Sequence, residues 1–316
     1  MDKNSSKLRY SHISRAATEI VEYIKDRSKG VSESLKTKWS KFNKLCMGGI
    51  EPNTIYTIAG VSGSGKSSFV NSLETDLFDL NPNANCVVLS FNFEMISARQ
   101  VGRKLSYKLH KTTSELYSGN TDKKLTDSDL LNVQKTAESI KNYPIYYVDF
   151  PGTVKQIRDT YYSFIEEPFA KGKWVIVMMD HTLLTRGETG DSERKILSDL
   201  QQLFMEIKKV GKTTIIQLSQ LNRDIEDESR ISKASMHFPM RKDIFGGDSL
   251  FHASDYLMVI HRPEILGLRA YGLSSLPTEN FIYLQVRKNR EGDLGMLLFW
   301  HNLFISMILP MLKMQK

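Results

Sequence analysis

The sequence predicts an α/β fold, a mainly parallel central sheet flanked by helices. Three observations predict it. From Thr54 onward, short β-rich runs alternate with amphipathic segments, the alternation that a parallel sheet with crossover helices requires. Gly60-Val-Ser-Gly-Ser-Gly65-Lys66-Ser67 completes the pattern G-x-x-x-x-G-K-S between an apolar run and a helical one. A chain of 316 residues with 41% apolar, 10% aromatic and 25% charged residues has ample material for a core, which excludes a disordered or collagen-like polymer.

In chain order, Tyr10, Ile13, Ala17, Ile20 and Ile24 recur at helical spacing and put one apolar stripe on a helix that Gly30 would end. So short a helix is marginal alone in water, so the stripe needs a surface, in its own domain or on a neighbouring subunit. The polar stretch 28–38 reads as a linker, which separates a basic arm, 1–34, from a body, 35–316. Strands are expected at 55–59, 86–91, 145–149, 174–179, 213–218, 256–261 and 281–287. Phe69, Val70, Leu73 and Leu77 share one face of the helix after the glycine loop, and Ile196, Leu200, Leu203 and Ile207 mark a core-facing helix behind the loop 185–191. Residues 225–239 read as a polar loop. The most apolar stretch, 296–312, contains His301, Asn302 and Pro310 and falls short of the ~20 residues that span a bilayer. It reads as buried strands around a turn at His301-Asn302, and no membrane association is expected.

The net charge of +7 is unevenly placed, with 11 Lys and Arg against 5 Asp and Glu in residues 1–50 and 32 against 31 in the remainder. A basic arm can meet phosphate or an acidic protein face, and it can equally be a solvated helix. Cys46 and Cys86 stand 40 positions apart with no further cysteine, so neither a disulfide framework nor a CxxC metal site can be built. The amino terminus has no apolar run behind its charges, which argues against a secretory signal. The expected location is a reducing cytoplasm, bacterial, or that of the host if the protein is viral.

The glycine loop carries the clearest chemistry. Gly60, Val61, Ser62, Gly63, Ser64 and Gly65 let backbone N–H groups turn inward around phosphates, and the helix that starts at Lys66, Ser67 and Ser68 presents its positive end to the same charge. Lys66 is placed to reach the β and γ phosphates of ATP, and the Ser67 hydroxyl to ligate Mg2+, which takes at most one or two protein carboxylates. The bland alternative is a Gly/Ser turn that merely joins strand to helix. Asp180 closes the run Trp-Val-Ile-Val-Met-Met-Asp and fits a Walker B aspartate at the carboxyl end of a buried strand, where ligands sit in open α/β sheets. Glu94 ends another strand; it reads from spacing either as a first-turn helix residue or as the general base for an attacking water.

Several segments together resemble one family, the RecA-like motor domain of DnaB-type hexameric replicative helicases, from about Ala16 to Leu309. Residues 35–52 are similar to the family's lead-in to its phosphate loop, and Phe93-Glu94-Met95 to its Leu-Glu-Met motif, which implies that Glu94 is the catalytic base. Leu218-Ser-Gln-Leu-Asn-Arg223 matches a run whose glutamine lies near the γ-phosphate, so Gln220 inherits a sensing role. Lys288-Asn-Arg290-Glu-Gly292 resembles the Lys-x-Arg-x-Gly motif, from which Lys288 and Arg290 would reach the nucleotide of the adjacent subunit. A cation supplied in trans stabilises charge on the transferring phosphoryl oxygens, which argues for a ring. The same residues without that role would be a solvated basic turn.

Residues 243–256 resemble the family's DNA-binding loop and the strand after it, although the Arg-Glu-Ser-Gly of the family reads Phe245-Gly246-Gly247-Asp248 here. The phosphate loop has the generic Ser-Gly-Ser form, Asp180-His-Thr-Leu replaces Asp-Tyr-Leu-Gln, and the family's N-terminal collar, which meets primase, has no counterpart. A translocating ring holds single-stranded DNA through basic side chains and backbone N–H groups, for which Arg241, Lys242, Phe245, Gly246 and Gly247 are the first candidates and Arg186, Arg194 and Lys195 the second. The resemblance thus implies an ATP-dependent DNA helicase motor, 5′ to 3′, working as a homo-oligomer, a hexamer, with primase or a helicase loader as further partners. A RecA-like recombinase, a regulatory ATPase without unwinding and a nonenzymatic ring subunit are the competing readings.

Overall fold

The computed structural model describes residues 10–31, 33–119 and 124–300. The chain divides into two compact units, Met1–Ser34 and Leu35–Lys316. In the first, helix α1 (Ile13–Ser28) begins where the His12 ring accepts the Ser14 N–H and ends ahead of Gly30, which takes φ +76°. Tyr10 precedes the helix, and Ile13, Ile20 and Ile24 of the predicted stripe are exposed.

The second unit comprises α2 (Ser40–Leu45), β1 (Ile55–Gly60), α3 (Lys66–Asp79), β2 (Cys86–Asn92), α4 (Ser97–Leu109), α5 (Thr113–Leu116), α6 (Asp127–Ile140), β3 (Ile145–Val148) and α7 (Val154–Glu166). It continues with β4 (Trp174–Asp180), α8 (Glu193–Ile207), β5 (Thr213–Gln220), α9 (Glu228–Ile231), α10 (Gly247–Ala253), β6 (Tyr256–His261), β7 (Phe281–Asn289) and β8 (Met296–Trp300). The strands form one sheet in the order β3-β2-β4-β5-β1-β6-β7-β8. Pairing is parallel from β3 to β6 and antiparallel from β6 to β8. The expected strands form within one or two residues of their predicted ends. Beyond Trp300, the turn expected at His301-Asn302 lies outside the described residues.

Because side chains alternate across a strand, the buried runs split between two faces. Cys86 and Val88 of β2 and Trp174, Ile176 and Met178 of β4 join a core with Trp39, Phe69, Leu73 and Leu77. Val87, Leu89 and Phe91, with Val175, Val177 and Met179, face Tyr161, Leu200, Leu203, Phe204 and Ile207 on the other side. The sheet is therefore covered by α3 on one face and by α7 and α8 on the other, as a parallel sheet needs.

Residues 225–239 are not a plain polar loop. A 3-10 turn (Arg223–Glu226), α9 and a second 3-10 turn (Ala234–Met236) wrap the buried Arg230. Its guanidinium pairs with both oxygens of Asp243 at 2.5 and 2.9 Å and donates to the Met236 and Phe238 carbonyls at 3.1 and 3.2 Å. A buried guanidinium must satisfy several donors, and here it gathers a polar segment around itself.

Candidate nucleotide site and nucleic-acid groove

The phosphate loop connects β1 to α3 along a path that only certain residues permit. A Cβ on Gly60 would lie 2.5 Å from both the Ile260 carbonyl oxygen and the Ser64 hydroxyl, so no side chain fits. Gly65, at φ +97°, is the N-cap of α3 and turns the chain into the helix. The Lys66 ammonium is folded back onto the loop, donating to the carbonyls of Gly60 at 2.8 Å and Val61 at 2.9 Å. Burial pulls its pKa down, and the nearby carboxylates of Glu94 and Asp180 oppose that shift.

Asp180 ends β4 and pairs in register with Asn92 at the end of β2. Its Oδ2 accepts from Gln100 Nε2 at 3.2 Å, while Oδ1 is buried without a hydrogen-bond partner. Burial pushes the carboxyl pKa up; the Gln100 bond, Arg103 and Lys66 counter this, whereas Glu94 adds to it. Glu94 stands exposed just past β2, and the neighbouring Phe93 N–H donates to the Asp180 carbonyl at 2.7 Å. Gln220 closes β5 opposite Gly60. Lys66, Ser67, Glu94, Asp180 and Gln220 thus gather at the carboxyl edge of β1, β2, β4 and β5, the edge at which open α/β sheets bind ligands.

The donor set fits a magnesium nucleotide. Ser64 Oγ, Asn92 Nδ2, Asp180 Oδ1 and Ser219 Oγ are buried polar atoms without protein partners, and groups of that kind call for a ligand or water. Among the described residues no cluster of three His, Cys, Asp or Glu could hold an ion. Ser67 and Asp180 offer instead the sparse hard-oxygen set that magnesium completes with phosphate and water.

Beside this pocket lies a groove of about 690 Å³ lined by Arg194, Asn222, Arg241, Lys242 and residues 244–249. It brings together the two segments that sequence reasoning proposed separately for DNA, with Phe245, Gly246 and Gly247 among the lining residues. Leu221 bridges to Ile244, and the Phe245 N–H donates to the Gln220 carbonyl at 3.0 Å, so the groove hangs on the strand that carries the sensor position. Gly246, at φ +65°, could not take a side chain, because a Cβ would meet Leu197 of α8 at 2.0 Å. Arg241 pairs with Asp248 at 2.7 Å and lies 4.2 Å over the Phe251 ring. Arg186 is not brought in: it lines a different cavity with Lys155, Arg158 and Lys195.

Lys288 and Arg290 lie elsewhere. The Arg290 Nε pairs with Asp255 Oδ1 at 2.9 Å, and its N–H donates to the Asp255 carbonyl at 3.0 Å. Asp255 Oδ2 accepts from Lys208 at 2.7 Å and from the Ile55 N–H at 2.9 Å. Arg290 is therefore pinned at the start of β1, while the phosphate loop follows its end, six residues on. At ~3.3 Å per residue that is roughly 16 Å. Lys288 donates to the Phe251 carbonyl at 2.5 Å and lies over the same ring that Arg241 covers.

A family model described as the DnaB-like helicase C-terminal domain matches residues 34–305. The chain belongs to the DnaB-like helicase family. Among solved structures, the isolated ATPase domain of another DnaB-like helicase superposes with a TM-score of 0.75 at 20% identity, over 96% of this chain and 100% of that one. A DnaB-like replicative helicase, solved for its interactions with primase, gives 0.71 at 20% identity, over 94% of this chain and 66% of that one. At such identity these likenesses speak for the fold, which is that of the DnaB ATPase domain. No curated protein matches the chain by sequence.

Within this DnaB-like motor domain, sequence reasoning missed the inner face of α4. Gln100 and Lys104 are buried there, and Arg103 donates to the Ser68 hydroxyl at 3.0 Å, directly behind the phosphate loop. The signal was present as polar residues at helical spacing after Glu94, a pattern hidden to any search for apolar stripes.

Proposed function

We propose that this chain is an ATP-dependent replicative DNA helicase motor that translocates on single-stranded DNA, 5′ to 3′, as a ring of six copies. The observation that carries the reading is the separation between Arg290 and the phosphate loop of the same chain. Arg290 is held at the opposite end of β1 by Asp255, so the pocket it serves is a neighbour's. Family membership supports an NTP-hydrolysing motor.

In this reading Lys66 exchanges its two carbonyl partners for phosphate oxygens, Glu94 takes the proton of the attacking water, and Gln220 registers the γ-phosphate. Ser67 and Asp180 hold magnesium, which when bound offsets phosphate charge. The neighbour's Arg290 and Lys288 close the site. Single-stranded DNA lies along the groove on Arg194, Arg241, Lys242 and the N–H groups of Gly246 and Gly247, so that its arrival is felt at Gln220 through the Phe245 contact. The arm 1–34 docks α1 on the adjacent subunit, and primase or a helicase loader meets the ring.

Native mass spectrometry with an ATP analogue, with and without single-stranded DNA, tests nucleotide, ring and DNA together. Unwinding of forks with a single 5′ or 3′ tail tests the motor and its polarity. Rings that bind ATP and DNA but never unwind either fork would leave a regulatory ATPase or a recombinase, the latter marked by strand exchange.

A further inference from the structure

A lysine with no exposed surface lies behind the site. Lys104 of α4 forms an ion pair with Glu74 of α3 and donates to Asn71 Oδ1 at 2.7 Å. Asn71 Nδ2 donates to Gln100 Oε1 at 2.6 Å and to the Ser67 carbonyl at 2.8 Å; Gln100 Nε2 donates to Asp180 Oδ2 at 3.2 Å. Each of these side chains is buried.

The order of these bonds has one direction. An ammonium only donates, so the Asn71 atom that faces Lys104 is its oxygen and its amide nitrogen faces Gln100. Gln100 must then offer oxygen to Asn71, which leaves its amide nitrogen for Asp180. Turning either amide over would set oxygen against oxygen at one end and nitrogen against ammonium at the other. A buried ion pair is a poor source of stability compared with apolar packing of the same volume, so its presence beside a metal-binding carboxylate invites another role.

We propose that Lys104 is a positioning residue for magnesium binding: through Asn71 and Gln100 it fixes the hydrogen bond to Asp180 Oδ2 and leaves Oδ1 directed at the ion's shell. This rests on the reading of Asp180 as the Walker B carboxylate. Outer-shell partners of metal ligands typically carry 10- to 100-fold in metal affinity, about the size of effect expected here.

The test uses the full chain and needs no turnover. A fluorescent ATP analogue is titrated at fixed concentration with Mg2+, and its binding in EDTA is measured separately. Asn71→Leu cuts the chain of bonds in the middle and leaves the Lys104–Glu74 pair in place. It should bind the analogue in EDTA like wild type and need about 10-fold or more Mg2+ for half-saturation. Lys104→Met/Glu74→Met, which replaces the pair by apolar groups, should show the same shift, and combining it with Gln100→Leu should add nothing further, since the residues act in series. Unchanged magnesium half-saturation in Asn71→Leu overturns the proposal, as does simple additivity in the combined variant. Asp180→Asn separates the two readings: if its magnesium response is normal, the Walker B assignment fails and the relay with it, whereas a weakened response beside a normal Asn71→Leu sinks the relay alone.

Discussion

The two edges of the central sheet are built differently. At the carboxyl edge, Lys66, Asp180 and the groups behind them are buried and held by hydrogen bonds within the domain. At the opposite edge, Arg290 is held by one carboxylate, its side chain 52% exposed while that of Asp255 is 10% exposed. Preorganised donors in a site shielded from water suit chemistry, because nothing need move as charge develops. An exposed ion pair is worth little and exchanges easily, which suits a cation that must find a phosphate on another molecule. The DNA groove shares the second character, since Arg241 and its partner Asp248 are 44% and 89% exposed.

The most severe way to break the contrast is at Arg290. Arg290→Ala should leave ATP binding intact and lower hydrolysis by about 10³ or more, the scale for a finger supplied in trans. Mixed with Lys66→Ala subunits, which lack a working pocket and keep their finger, it should regain measurable ATPase. Mixtures that form yet recover nothing would show that the exposed edge serves no neighbouring pocket.

Glu94→Gln attacks the other edge and should bind ATP while hydrolysis falls by about 10² or more, the usual cost of a positioned base. Turnover near wild type in a single-turnover assay would remove Glu94 from the mechanism. Since this residue works within its own pocket, mixing with Lys66→Ala should give no rescue, which sharpens the distinction from Arg290.

A gentler effect is expected in the groove. Arg241→Gln should weaken single-stranded DNA binding several-fold and reduce the slope of log affinity against log salt by about 0.7, the value for one phosphate contact on a single strand. Fluorescence anisotropy at a series of salt concentrations measures both, and an unchanged slope would take Arg241 off the DNA.

The last prediction guards against misreading pH profiles. His261 belongs to neither edge; burial, with Arg230 and His237 nearby and only Asp243 opposing, pushes its pKa down to about 3. Its Nδ1 faces the Tyr271 hydroxyl at 2.6 Å, and Gln285 donates to that same hydroxyl at 2.5 Å, so the ring is neutral in the fold. The unfolded chain takes up the proton first, near pH 6.5. The neutral ring's stabilisation is thus fully present above pH 6.5 and lost as pH falls toward 3, by up to about 1.4 kcal/mol per pH unit. Denaturant unfolding between pH 7 and 4 should show a shallower loss in His261→Gln; identical slopes would remove this histidine as the cause.

The pocket was legible because its parts announce themselves locally: a contiguous glycine loop, an apolar run that stops at Asp180, and Gln220 inside a compact family-like segment. Phe69, Leu73 and Leu77 obey helical periodicity and were found for the same reason. Gln100, Lys104 and Asn71 were not, since their burial depends on one another across two helices, and a buried polar face looks in sequence like a solvated one. The segment around Arg230 escaped in the same way. Its organiser pairs with Asp243, thirteen positions along, and no periodicity marks such a bond. The groove needed three dimensions to join Arg194 to Arg241 and to leave Arg186 aside.

That Arg290 and the phosphate loop stand at opposite ends of β1 also constrains symmetry. An interface that brings one such end onto the other joins two unlike surfaces, so it cannot be the self-complementary contact of a two-fold dimer. Repeated, it runs head to tail and either closes into a cycle or continues as a helical filament. Every pocket around such a cycle meets its neighbour in the same rotational sense. An assembly of identical chains built that way has a handedness before any nucleic acid enters, and a directional walk along a strand needs no further asymmetry from the subunits themselves.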